Sequence, residues 1–190
     1  MKTAFVHFLH QQGWVEADIE LMVQQAECRT VPARSCLVAQ GQHLSHIHWL
    51  YSGVGHACYL TEQGKAFSKE FYWEGDWIIG FEPLISGLPA PYQQETLSEC
   101  QLVSLPVSLL EQWRYAQHPV YVRLVETQLR HKENKERILL LNSPEQRYLY
   151  FCQNYPFLIG RLTDYQIAGY LGITPISLSR IIARLKKRQS

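Results

Sequence analysis

The sequence has no apolar run approaching the roughly 20 residues that cross a bilayer, so no membrane helix is expected. It has no C-x-x-C pair either. The five cysteines (Cys28, Cys36, Cys58, Cys100 and Cys152) are scattered and odd in number, which argues against a disulfide framework and for reduced thiols. Net charge is nearly absent, at +1 over 190 residues. The stretch "GFEPLISGLPAPYQQETL", from Gly80 to Leu97, holds no basic side chain. The N-terminal "MKTAFVHFLHQQGW" has apolar residues, but His7 and His10 break them and no cleavage-like end follows. The expectation is a mature cytoplasmic start and not a signal peptide.

The charge that exists is unevenly placed. After Gly160 come Arg161, Arg180, Arg184, Lys186, Lys187 and Arg188 against one acid, Asp164, so the remainder of the chain is net acidic. A basic tip on an acidic body points to a local polyanion contact.

Residues 3–28 read as two short helices, one with Phe5, Phe8 and Leu9 on a face, the other with Ile19, Met22, Val23 and Ala26. From about 29 to 105 the pattern changes. Glycines recur at 41, 53, 64, 75 and 87, and between them lie aromatic and branched segments such as "HIHWLYS", "HACYLTE" and "AFSKEFYWE". Short strands at that spacing predict an antiparallel sandwich or jelly roll, with "EQGK" at 62–65 as a hairpin turn. Helical spacing returns after 107. From Val120 to Ser143 neither glycine nor proline interrupts, enough for roughly 35 Å of helix. Its narrow stripe of Val122, Val125 and Leu129, continued by Ile138, Leu139 and Leu141, reads as a homodimer seam; the alternative is a helix lying on its own domain. Pro144 then opens a further helix that Pro156 ends.

The last 30 residues are the most informative. Thr163 caps a short helix with Ile167, Ala168 and Leu171 inside, and Gly172 supplies the positive φ that stops it. Ile173 turns the corner, and Thr174 caps a second helix that starts on Pro175. Leu178, Ile181, Ile182 and Leu185 share its inner side; Ile176, Ser179, Arg180, Ala183 and Lys187 share the outer, flanked by Ser177 and Arg184. This is a helix-turn-helix, with the second helix shaped for a major groove. The candidate DNA contacts are Thr174, Pro175, Ile176, Ser177, Ser179, Arg180, Arg184 and Lys187. Arg180 suits a guanine edge, and Arg184 and Lys187, with Lys186 and Arg188, suit the phosphate backbone.

With "GQHLSHIHWLYSGVGHACYLTEQGKAFSKEFYWEGDWIIG", "ECQLVSLP" and "LTDYQIAGYLGITPISLSRIIARL" in this order, the chain resembles the Crp/Fnr family of bacterial transcription regulators over nearly its whole length. The resemblance implies an α+β chain in three parts: an N-terminal sensory jelly roll of cyclic-nucleotide-binding type (1–116), a central dimerisation helix (117–142) and a helix-turn-helix DNA-binding domain (143–190). It implies a cytoplasmic homodimer joined through the 120–141 helix, with double-stranded DNA and RNA polymerase as partners, no membrane and no enzymatic activity.

Three departures shape the expectation. Ala90, Pro91 and Tyr92 stand where family members that bind cyclic nucleotides carry the phosphate-binding arginine. Without it a cyclic phosphodiester lacks a charge-assisted bond of roughly 1.5–3 kcal/mol. No cofactor is therefore expected, and any effector is a nonpolar or neutral small molecule, with Phe71, Trp73, Trp77, Phe81 and Tyr92 as the ligand-pocket candidates. Second, the iron–sulfur members carry an N-terminal cysteine cluster, which Cys28 and Cys36 alone do not supply. His43, His46, His48 and His56 read as a solvated sheet face, with no metal expected. Third, only "KKRQS" follows Leu185, where the family adds a two-stranded wing, so the wing is expected truncated or absent. The alternative function is a ligand-sensing or protein-interaction module whose helix-turn-helix no longer binds DNA. A metal-dependent jelly-roll enzyme is a third and weaker reading, because His-x-His plus Glu on suitably spaced strands is missing.

Overall fold

The computed structural model describes residues 1–189 of the chain. Two helices, α1 (Lys2–Gln11) and α2 (Glu16–Gln25), lead into eight strands: β1 (Glu27–Val31), β2 (Cys36–Val38), β3 (His46–Ser52), β4 (Gly55–Leu60), β5 (Ala66–Tyr72), β6 (Trp77–Ile78), β7 (Gln93–Thr96) and β8 (Cys100–Pro106). A short helix, α3 (Phe81–Ser86), interrupts them between β6 and β7. Then follow α4 (Val107–Tyr115), α5 (Pro119–Leu141), α6 (Pro144–Asn154), a 3-10 turn (Pro156–Leu158), α7 (Asp164–Leu171) and α8 (Pro175–Gln189).

The strands form two four-stranded antiparallel sheets, ordered β1-β8-β3-β6 and β2-β7-β4-β5. The expected jelly roll is present. All five evenly spaced glycines have positive φ, so the regular spacing marks turns. At Gly53 the requirement is also steric, since a Cβ there would lie 2.5 Å from the Glu99 carbonyl oxygen. The β4–β5 hairpin closes around Gly64, whose N–H donates to the Thr61 carbonyl.

Between the sheets Val31, Leu50, Ala57, Tyr72, Ile78, Tyr92, Cys100 and Leu102 pack together. Strand alternation sends their neighbours outward, and each outer face is covered by helices. Ile47, Trp49, Val103 and Leu105 meet Phe5, Leu9, Ile19 and Met22 of α1 and α2 and Leu109, Leu110 and Trp113 of α4. On the other sheet, Val54 and Phe71 meet Phe151, Leu158, Ile167, Ala168 and Leu171. The C-terminal helices are thus the fourth layer of a helix–sheet–sheet–helix stack. Burying side chains of this size contributes about 1.5–3 kcal/mol each, so this layer is firmly attached.

Helix α5 has 23 residues, as its unbroken pattern predicts. One side lies on its own roll: Val120 is buried with Tyr121 and Leu124 against the α1/α4 cluster, and Gln128 donates to both Glu70 carboxylate oxygens at 3.0 and 3.1 Å. The other side carries Val122 and Leu129, both exposed, and Leu140 and Leu141, which are 74% and 77% exposed. The helix thus lies on its own domain along one face and leaves apolar side chains exposed along the other.

Candidate nucleic-acid interface and sensory cavity

Thr163 and Gln166 form a capping box at the start of α7, and Gly172 ends it at φ 67°. The Thr174 hydroxyl then accepts from the Ser177 amide at 3.1 Å, opening α8. Leu178 and Ile181 are buried at 0% and 4% exposure, whereas Ile176 is 66% exposed and Ser179, Arg180, Ala183 and Lys187 lie on the surface. The polar-basic side of α8 faces away from the body of the molecule.

Its side chains are not equivalent. Arg180 makes no hydrogen bond or ion pair among the described residues. Arg184 and Arg188 are both held by Glu145, in the first turn of α6, at 2.6 and 2.8 Å. Thr174 and Ser177 share a hydroxyl–hydroxyl bond of 2.9 Å besides the cap, so both already serve the helix start. Sequence reasoning missed Glu145 because it precedes Arg184 in another helix, and no spacing rule relates the two.

It also missed Arg147, whose guanidinium donates to the carbonyls of Leu139, Asn142 and Leu171 at 2.5, 2.9 and 3.1 Å. One cation thereby sits on the C-terminal ends of both α5 and α7, where helix dipoles favour positive charge. It fixes the junction between the long helix and the helix-turn-helix. A second tie is Arg161, which donates to Glu74 at 2.7 and 2.9 Å and to the Gly53 carbonyl at 2.9 Å. The guanidinium holds the Glu74 carboxyl down at about 2.

The inside of the roll is filled, with Tyr72 and Tyr92 packed in its core. The open space lies beside it: a cavity of about 430 Å³ between β5, α1, α5 and the C-terminal helices. Of the five ligand-pocket candidates, Phe71, Trp73, Trp77 and Phe81 line it. Tyr92 does not; it stands in the inter-sheet core, its edge against Tyr59 at 5.9 Å. Opposite the aromatics stand Lys69, Lys132 and Lys135. Burial pushes Lys69 and Lys135 down to about 8, Lys69 also through its contact with Lys132. Lys69 Nζ lies 4.5 Å above the Tyr92 ring. The region without basic residues in the sequence thus receives a cation from β5, two strands away in the sheet, which linear reading did not reveal. At the cavity's rim Asp76 is raised to about 7, mainly by burial and further by Glu70 and Glu74.

The expected solvated histidine face is corrected. His46 is half-buried and His43 exposed, but His48 and His56 are 2% and 3% exposed. His48 points between the sheets to Ser104 at 2.8 Å, and burial pushes it down to about 3. His56 lies under α7. Its Nδ1 meets Glu95 at 3.0 Å and its Nε2 meets the Ser68 hydroxyl at 3.0 Å. The alternation that pairs histidines on one face does not say whether a helix covers that face.

No protein-family model matches the chain. It is 25% identical over 169 residues to the fumarate and nitrate reduction regulatory protein of Vibrio cholerae, with 80% of this chain and 66% of that protein covered. The chain thus spans just under two thirds of the length of that curated relative. Among solved structures it is similar to FixK2 from Bradyrhizobium japonicum, with a TM-score of 0.73, 18% identity and 86% of each chain covered. It is also similar to a CRP-family transcriptional regulator from Thermus thermophilus, with a TM-score of 0.66, 18% identity and 85% of each chain covered. The chain carries the fold of the Crp/Fnr transcription regulators and is similar to that family in sequence.

Proposed function

We propose that the chain is a homodimeric, sequence-specific DNA-binding transcription regulator whose roll and long helix sense a small molecule. The observation that carries this reading is the outer face of α8: Arg180 free and exposed, with Ser179 beside it and the apolar side sealed against α6 and α7. A helix offered in that way can enter a major groove, where an arginine binds a guanine edge through two hydrogen bonds. The exposed stripe of Val122, Leu129, Leu140 and Leu141 supports pairing of two α5 helices, which would set two recognition helices on half-sites about one helical turn, roughly 34 Å, apart.

On the sensory side, a cavity of about 430 Å³ falls in the range of small-molecule sites, about 300–1,000 Å³. Trp73, Trp77 and Phe81 suit an apolar or aromatic body, and Lys69, Lys132 and Lys135 favour an anionic end. The sequence-based expectation of a neutral effector is therefore revised to an amphipathic anion. The missing arginine near Tyr92 still argues against a cyclic nucleotide.

Fluorescence anisotropy with random duplex DNA at low salt tests the reading. Binding with a dissociation constant of about 1–100 µM is expected even without an operator. Arg180→Ala should then weaken operator binding by about 5- to 150-fold, from about 1–3 kcal/mol of lost base contact. No binding at low salt would favour the second reading, an interaction module; the exposed Ile176 and the engagement of Arg184 and Arg188 by Glu145 speak for it.

A further inference from the structure

Three strands of the β2-β7-β4-β5 sheet place Cys36, Glu95 and His56 in one row, since Cys36 and His56 both face Glu95 in the ladder. Cys58, two residues beyond His56 on β4, projects from the same side. The donor atoms of His56, Cys58 and Glu95 all lie within 4.8 Å of one another. His56 Nδ1 is 3.0 Å from Glu95 Oε1, and Cys58 Sγ is 3.9 Å from that same oxygen. A tetrahedral ion with bonds of about 2.0–2.3 Å holds its ligand atoms roughly 3.3–3.8 Å apart. The separations of 3.0 and 3.9 Å from the Glu95 oxygen fall within a few tenths of an ångström of that range, and the third is within 4.8 Å.

We propose that His56, Cys58 and Glu95 form a binding site for a borderline divalent cation of the zinc type, with the fourth position open toward Cys36. An imidazole, a thiolate and a carboxylate together suit zinc-like ions and not magnesium or calcium, which take oxygen ligands.

The hydrogen bonds around His56 supply an independent argument. Without a cation, the Nδ1–Glu95 bond needs a proton on Nδ1, because a carboxylate only accepts. Nε2 of the neutral ring then accepts, and so does the Gln166 carbonyl, 3.0 Å from the Ser68 hydroxyl. Ser68 has one hydroxyl proton for two acceptors, a shortfall that either a second ring proton or a cation on Nδ1 would make good. With a cation on Nδ1, the ring proton moves to Nε2 and donates to Ser68 Oγ. Ser68 then donates to Gln166, and the Glu95 carboxylate meets the ion in place of its bond to Nδ1. This is the arrangement in which metal-bound histidines are held by an outer hydrogen bond. Gln166 lies in α7, the first helix of the helix-turn-helix, and Gly169 of that helix would bring a Cβ within 3.4 Å of Ser68. The cation would therefore strengthen the seat of the DNA-binding unit on the roll.

The test is titration of the metal-stripped full chain with Zn2+, and with Co2+ as a spectroscopic probe. One equivalent should bind per chain, Co2+ should show near-ultraviolet thiolate charge transfer, and amides of residues 166–170 should exchange more slowly with Zn2+ present. Cys58→Ser and His56→Gln should abolish all three signals. Ser68→Ala should keep the charge-transfer band but weaken binding by about 10- to 100-fold. Cys28→Ser and Cys152→Ser should change nothing. Should Cys58→Ser fold poorly, protection of Cys58 from alkylation by Zn2+ in the unaltered chain gives the same answer. Failure to bind one equivalent, or equal binding by the His56 and Cys58 variants, would overturn the proposal and leave the cluster an imidazolium–carboxylate pair.

Discussion

Glu145 offers the sharpest test of the proposal that α8 meets DNA. Its carboxylate is 23% exposed and holds Arg184 at 2.6 Å and Arg188 at 2.8 Å. On a duplex, that carboxylate would keep each arginine from a phosphate. Glu145→Gln removes the competitor while keeping shape, and the α6 capping box of Ser143 and Gln146 is untouched. The stability cost follows from two small terms. Exposed pairs contribute about 0.2–1 kcal/mol each, and a carboxylate in the first helical turn adds about 0.3–1 kcal/mol. A loss of about 1–3 kcal/mol is expected in urea denaturation. The effect on DNA should have the opposite sign. Each phosphate neutralised steepens the log–log salt dependence by about 0.9, so two released arginines should steepen it by up to about 2 per protomer. Anisotropy titrations from 50 to 300 mM salt, roughly a 14 to 6 Å range of screening length, would measure the slope. A folded variant with an unchanged slope would refute the reasoning, and both arginines would then be structural.

Lys187→Ala should lower that slope by about 0.9 without altering sequence preference, as competition between operator and random duplexes would show. Gly172→Ala should cost about 1–2 kcal/mol, because an L-residue is strained at φ 67°; its Cβ would meet Arg147 only at 3.6 Å, so the cost is conformational and not steric. For Asp76, the folded carboxyl at about 7 lies above its usual value. The protonated native form is favoured, so the group's adverse effect is absent below about pH 4, grows between 4 and 7, and is complete above 7. Asp76→Asn retains an acceptor for the Trp73 amide, and its stability advantage over the unaltered chain should widen across that window. Arg147→Met should loosen the α5–α7 junction by about 2–3 kcal/mol, by loss of charge-assisted bonds to helix ends, seen as a lower Tm of the C-terminal unit.

What could be read in the chain beforehand was what repeats or caps. The glycines at 41, 53, 64, 75 and 87 announce turns because a positive φ needs that residue. The helix-turn-helix is legible because Thr163, Gly172, Thr174 and Pro175 each do a local job that depends only on their neighbours. Illegible features depend on separation in sequence. His56 and Glu95 are 39 residues apart, Ser68 and the Gln166 carbonyl 98, and Glu74 and Arg161 87. Lys69 reaching Tyr92 is the same case. Such contacts arise from sheet register and layer stacking, and no periodicity encodes them.

Those long-range contacts bear on how the chain would work as the proposed regulator. The C-terminal helices are fastened to the roll on β5 by Ser68 and Phe71, and at its turns by Gly53 and Glu74 through Arg161. Arg147 fastens them to α5. Yet the outer face of α8 stays exposed in this docked arrangement, so docking does not mask the groove-reading surface. What docking determines is the direction of α8 relative to the exposed stripe on α5. Two half-sites on a duplex demand a fixed separation and orientation. The cavity is lined by Phe71, Tyr155 and Tyr170 on one side and α5 on the other, so an effector of the kind proposed would act on that angle. If the chain regulates as proposed, an effector should change operator affinity far more than nonspecific affinity, because a single recognition helix needs no partner at the right distance to bind phosphates.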